Sequence, residues 1–290
     1  MQQLINGVAL GGTFALLGVG LTLIWGVMGV LTFAQAQVLT WGGFGTLVAW
    51  ELGASVWVAF GAGVLTGAVV CVLVEVTVIG PLRRRGGSEF SFVAATMGVS
   101  VLLGFFLEWR THAQTLTFPR EGFPTGSMRI GALTLSELQV AIIVITILVS
   151  AALMATLRWT RFGRDVRAVA ESREVASLLG VSPRATYWVV SAIAGALAAI
   201  AGIFQGVSNA NISYSSGDHL LMIAFAVAVV GGIGSVGGAV VGGLAIGIVQ
   251  VFAVAYVSSA FQQAAAFLAI LIVLVLRPQG LFGREETVRV

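Results

Sequence analysis

Between residues 4 and 276 the chain is a succession of long apolar stretches separated by short polar ones, and that feature leaves few folds open. The stretches near 4–30, 38–50, 54–79, 90–107, 138–157, 185–207, 220–230, 238–257 and 261–276 carry almost no charge. A helix needs roughly 20 residues to cross the hydrocarbon core of a bilayer, and several stretches reach that length. A soluble surface usually needs about 25% charged residues; here 9% are charged and 58% hydrophobic. Strict apolar/polar alternation over about 10 residues, the mark of a membrane strand, is missing. The expectation is an all-α, polytopic helical membrane protein with about eight or nine transmembrane helices, residues 1–290 forming a single transmembrane domain. The first 30 residues lack a basic leading region and run on at spanning length, so the first segment is expected to remain in place.

Most of the 38 glycines lie inside apolar runs rather than in polar linkers, and there small residues let helix backbones approach closely. Every one of the 15 Lys and Arg residues is arginine. Without lysine there is no Walker A loop and no Schiff-base chemistry, so any ATP hydrolysis belongs to another polypeptide. Cys71 is alone in an apolar run, which excludes a disulfide or a thiolate metal cluster. His112 and His219 fall in separate loops, and no group of His, Asp or Cys has the density an enzyme site requires. The chain is expected to hold no metal or cofactor of its own and to bind lipid rather than nucleic acid.

Basic residues near span ends are retained on the cytoplasmic side of a membrane. Arg83 to Arg85, six arginines within 158–184, and Arg277, Arg284 and Arg289 stand against Arg110, Arg120 and Arg129 in the polar stretch 108–137. The turn at 81–87, the segment 158–184 and the C-terminus are therefore expected on the cytoplasmic side. Residues 108–137, read as an exposed loop, and 208–219 are expected outside. No arginine precedes Arg83, so the N-terminus has no assignment: three full spans put it outside, a re-entrant element near 31–37 puts it inside.

The segment 158–184 has a helical composition. Arg167 and Glu171 are spaced to pair along one face, worth a few tenths of a kcal/mol. Val166, Val169, Ala170 and Val175 to Leu179 supply apolar positions, Gly180 can end the helix, and Ser182-Pro183 can open the next. This is either a solvated loop obeying the positive-inside rule or an amphipathic element that a partner grips in a groove. Residues 163–180 resemble the cytoplasmic loop of bacterial permeases for leucine, isoleucine and valine, a Gly-Arg-x-x-Arg-Ala-x-Ala-Glu run followed by Ala-Ser-Leu-Leu-Gly. Gly163, Arg164, Arg167, Ala168, Ala170, Glu171, Ala176, Ser177, Leu178, Leu179 and Gly180 occupy those places. The opening Asn6 to Leu16, the glycine turn Val229 to Ser235 with Gly238-Ala239, and Arg277-Pro278-Gln279-Gly280-Leu281-Phe282-Gly283 are similar to the same family in the same order.

The resemblance implies a permease subunit in the bacterial inner membrane. It implies a second permease chain, related but distinct, two cytoplasmic ATPase subunits that hydrolyse the ATP, and an extracytoplasmic binding protein that delivers the amino acid. Segment 158–184 would be the coupling element, with Gly163, Arg164, Arg167, Ala168, Glu171, Leu178 and Gly180 as its residues. A closely related framework serves urea and short amides, so cargo stays open between these and branched-chain amino acids.

Polar residues at membrane depth point to a protein or water partner. Thr32, Gln35 and Gln37 are the candidates for a translocation pathway, and buried amides that merely join helices are the competing reading. The family has Asn-Phe-Ala-His-Gly-Glu where this chain has Thr32 to Gln37, so a histidine and an acid are replaced by neutral amides. Glu75 matches a family glutamate, but the neighbouring family arginine is Val76 here, which leaves Arg83 to Arg85 as possible partners for an interfacial acid. An ion-coupled secondary transporter, the alternative of a different class, would need more intramembrane acids than Glu75.

Overall fold

The computed structural model describes residues 1–119, 122–124, 126–130, 133–277 and 279–282; Arg120, Pro278, Gly283, Arg284 and Arg289, used above, lie outside them. The chain opens with α1 (Gln2–Met28), α2 (Gln35–Glu51) and α3 (Val56–Val74). A π-helical turn at Glu75–Ile79 carries α3 into α4 (Gly80–Arg84), and α5 (Glu89–Thr111) follows. Beyond short strands β1 (Leu116–Thr117), β2 (Ser127–Ile130) and β3 (Leu133–Ser136) come α6 (Glu137–Trp159), α7 (Arg161–Glu171), α8 (Arg173–Leu178) and α9 (Pro183–Asn209). Strand β4 (Asn211–Ile212), α10 (Ser216–Gly231), α11 (Val236–Tyr256) and α12 (Gln262–Leu276) complete the order. Among the described residues seven helical stretches are long and apolar enough to cross a membrane, and α10 is a shorter apolar helix. The chain is thus an all-helical, polytopic membrane protein.

Three local expectations change. The Pro81 to Arg84 stretch is not a turn but the last helical turn of a stretch running from Val56 to Arg84. Proline has no N–H to continue the ladder, and the widened turn at Glu75–Ile79, where Gly80 N–H reaches the Glu75 carbonyl, accommodates it. The reversal comes later, at Gly86, whose φ of 69° is left-handed. The polar patch at 32–37 is split: Gln35 and Gln37 form the first turn of α2, leaving 29–34 as the break after α1. Finally, 108–137 is not all loop, because α5 runs to Thr111 and β2 pairs antiparallel with β3.

Contacts between connections sort the helix ends into two faces. Gln2 Nε2 donates to the Thr134 carbonyl at 2.8 Å, and Thr134 N–H returns a bond to Gln2 Oε1 at 3.0 Å. Leu116 and Thr117 pair with Ile212 and Asn211. One face therefore gathers the chain start, the connection between α5 and α6, and the connection between α9 and α10, so 108–137 and 208–219 share a side. On the other face Gly26 of α1 lies against Gly234, and Leu281 and Phe282 donate their N–H groups to the carbonyls of Val230 and Gly231.

The interior is built on α1 and α9. Helix α1 packs on α6, α9, α10 and α11, while α9 packs on α2 and α3. The seam of α1 and α11 is antiparallel and made by glycine. A Cβ placed on Gly7 would lie 2.8 Å from Ile248 Cα, and one on Gly11 2.7 Å from Leu244 Cα. Without a hydrophobic force between helices in lipid, such backbone approach is what holds the pair. Helices α5, α6 and α12 instead turn Phe105, Leu148 and Leu271 outward.

Candidate functional site

The first candidate, α7 and α8, hangs below the span ends as two capped helices. Thr160 Oγ1 accepts from Gly163 N–H at 3.2 Å and opens α7; Ser172 Oγ accepts from Val175 N–H at 3.3 Å and opens α8. Gly180, at φ 81°, ends the unit, and Ser182 with Pro183 starts α9. Gly163, Val166 and Val169 recur every third residue on the buried face of α7, against α1, α6 and α9. Gly163 has to be small: a Cβ there would lie 2.7 Å from Leu157 Cα and closer to its carbonyl. Ala168 is half-buried between the two faces.

The opposite face is open. Arg164, Arg167 and Glu171 are exposed on α7, and on α8 only Ala176 is buried, leaving Leu178 86% exposed beside Val175 and Leu179. One sequence expectation is corrected here. Arg167 does not pair with Glu171; its guanidinium donates to the Leu157 carbonyl, one of the last carbonyls of α6, which have no partner within their own helix. What remains outward is an apolar knob rimmed by arginine and glutamate.

The second candidate lies where α2 and α10 begin. Gln35 is buried, its Nε2 donating to the Ala194 carbonyl of α9 at 3.0 Å and its Oε1 lying 3.9 Å from Cys71 Sγ of α3. It therefore joins three helices and has no free face. Gln37 differs. Its Nε2 donates to Asp218 Oδ1 at 3.2 Å, while its buried Oε1 has no partner. Beside it, Gly217 N–H donates to Thr40 Oγ1 at 3.1 Å, locking the first turn of α10 against α2. Thr32 is buried in the break between α1 and α2, apart from this polar pair.

The sequence places Asp218 in the polar stretch 208–219. Its place in the first turn of α10, after the buried Gly217, makes it a second acid at the bundle. The available signal was an acidic residue two positions before an apolar run, the favoured place for negative charge at a helix start. Its neighbour His219 meets Gln263 of α12 at 3.4 Å, and Asp218, His219 and Gln263 rim a cavity of about 280 Å³ lined by Met222, Ala226 and Phe267.

The third candidate is Glu75. Arg83 is its partner, one helical stretch further on: Nη1 lies 2.8 Å from Oε1 and Nη2 3.4 Å from Oε2. The guanidinium is also 4.0 Å from the ring centroid of Tyr187 on α9. This fastens the end of α4 to the start of α9, next to α8. Among the described residues no group of three His, Cys, Asp or Glu side chains could hold a metal ion.

Comparison with known proteins gives matches over nearly the whole chain. Residues 3–276 match the family described as branched-chain amino acid transport system / permease component. The high-affinity branched-chain amino acid transport system permease protein LivH of Escherichia coli is 30% identical over 307 residues, covering 100% of this chain and 97% of LivH. The corresponding protein BraD of Pseudomonas aeruginosa is 30% identical over 302 residues, covering 100% and 98%. A probable LivH of Methanocaldococcus jannaschii is 25% identical over 280 residues, covering 92% and 88%. No solved structure matches the chain.

Proposed function

This chain belongs to the family of permease components of branched-chain amino acid transport systems, and from that premise we propose that it imports branched-chain amino acids in an ATP-driven complex. Its partners in that complex are a second, related permease chain, two cytoplasmic ATPase subunits and an extracytoplasmic binding protein. As a permease it is not itself catalytic, and the ATPase subunits bind and hydrolyse the nucleotide. The face bearing Arg83 to Arg85, α7, α8, Arg277 and residues 279–282 is cytoplasmic, in the bacterial inner membrane. The face bearing Gln2 and Thr134 is external, so the chain starts outside and reaches its cytoplasmic C-terminus after an odd number of crossings.

The single observation that carries the coupling assignment is the two-sided build of α7. Gly163, Val166 and Val169 fix it to the span ends, while Arg164, Glu171 and the exposed Leu178 face away from the bundle. A groove on an ATPase can grip such a helix pair, and movement of the groove is passed through Gly163 and the Arg167 bond to the end of α6, and through Gly180 to the start of α9. In the pathway, Gln37 and Asp218 are the polar residues at the meeting of two helix starts, and Gln35 is a structural joint.

Exchanging charge on the outward face tests this. Glu171→Arg and Arg164→Glu each set like charges against a surface matched to the native one, which costs several kcal/mol at an interface. The purified complex is expected to stay assembled in the membrane yet lose about tenfold or more of its ATP-driven uptake. Normal ATP hydrolysis and normal uptake in both variants would remove the docking role.

A further inference from the structure

A cavity of about 310 Å³ opens where α4 meets the start of α9, away from the pathway residues Gln37 and Asp218. Its polar wall is Glu75, Arg83, Arg84, Arg184 and Tyr187. Glu75 balances Arg83, and among the described residues neither Arg84 nor Arg184 makes an ion pair, so the cavity carries an excess of two positive charges. Two donors on residues that line it, Arg83 Nε and Tyr187 Oη, are buried and have no hydrogen-bond partner. Buried polar groups rarely stay unpaired, because each costs on the order of a lost hydrogen bond. The surplus charge and the unused donors call for an oxyanion.

The surroundings identify the source of that oxyanion. Arg184 lies 4.8 Å over the ring of Trp188, which is itself at the rim, and tryptophan is enriched at membrane interfaces. Val76 lines the cavity, and Val76, Leu73 one turn before it and Val189 next to Trp188 are exposed and apolar. A charged cradle at a span end, continued by an apolar strip along the span, matches a phosphate with acyl chains attached. It does not match a free inorganic ion.

We propose that this cavity holds the phosphate headgroup of an anionic phospholipid, with Arg84 and Arg184 supplying charge, Arg83 Nε and Tyr187 Oη donating to the phosphate oxygens, and the acyl chains lying along Val76 and Val189. The site bridges α4 and α9. Its occupant therefore braces the start of the helix that α8 feeds, and the composition of the inner leaflet bears on coupling.

The test is native mass spectrometry of the assembled transporter in micelles doped with phosphatidylglycerol, with phosphatidylcholine of the same chains as the comparison. Retention of phosphatidylglycerol well above phosphatidylcholine is expected, unaffected by millimolar inorganic phosphate. The exposed arginines can be changed without touching the Glu75 pair. Arg84→Gln with Arg184→Gln is expected to weaken retention about thirty-fold, and Tyr187→Phe about threefold. If the double variant does not assemble, each single variant is expected to lose about fivefold. Equal retention of the two lipids, retention unchanged in the variants, or displacement by inorganic phosphate would overturn the proposal. So would a photo-cross-link from a benzophenone maleimide on Trp188→Cys to a second permease chain, since protein would then cover the face; the native Cys71 is buried and does not compete.

Discussion

Helices α1 and α12 are both long uncharged stretches that can cross a membrane, yet 89% of the spanning window of α1 is buried within the chain and only 6% of that of α12. The difference is side-chain size. Helix α1 carries Gly7, Gly11, Gly12, Gly18, Gly20 and Gly26 and lets neighbours reach its backbone, whereas α12 carries no glycine and presents Phe267, Leu271 and Val275 to the outside. Apolarity thus decides that a segment is in the membrane. Small residues decide whether it faces protein or lipid.

The sharpest way to break this comparison is a matched pair of substitutions. Gly11→Leu puts a branched side chain where Leu244 Cα allows no Cβ, and is expected to cost about 3 kcal/mol or more, enough to prevent recovery of folded protein. Leu271→Ala on α12, a residue 63% exposed, is expected to move the thermal midpoint in detergent by the equivalent of about 0.5 kcal/mol or less. Similar losses at both positions would end the distinction between an inner and a lipid-facing class.

A slightly smaller contrast separates the polar joints. Glu75→Ala leaves Arg83 buried opposite nothing and is expected to cost about 3 kcal/mol in the same unfolding measurement, with the added substitution Arg83→Leu recovering most of it. Gln35→Leu loses one hydrogen bond to Ala194 and is expected to cost about 1 kcal/mol. Gln37→Leu and Asp218→Asn are expected to change stability least while lowering uptake, because their contact faces a partnerless acceptor rather than a closed joint. If Gln35→Leu lowers uptake with no loss of stability and Gln37→Leu does the reverse, the roles of the two amides are exchanged.

The sequence revealed those features that rest on local chemistry. The apolar runs marked the helices, Gly180 and Ser182-Pro183 marked an end and a start, and two arginine-poor polar connections were expected on one side, where β1 and β4 now pair. It misled where the outcome depends on a distant neighbour. Pro81 reads as a break, but a widened turn upstream lets the helix continue. Arg167 has a carboxylate at helical spacing and yet takes a carbonyl from the end of α6. Asp218 lies in a polar stretch, and nothing in that stretch indicates that α10 begins against Gln37. Gln35 and Gln37 are two residues apart and identical in type, yet Gln35 bonds to α9 and α3 and Gln37 to α10. Only the neighbours on α9 and α10 distinguish them.

The central claim is that this chain moves its cargo under power supplied by other subunits. Proteoliposomes containing the assembled transporter, loaded with ATP and given binding protein and labelled leucine outside, test it most directly. Uptake is predicted to require internal ATP, to persist when an ionophore collapses ion gradients, and to fall in Glu171→Arg. Uptake that continues without ATP and stops with the ionophore would contradict it.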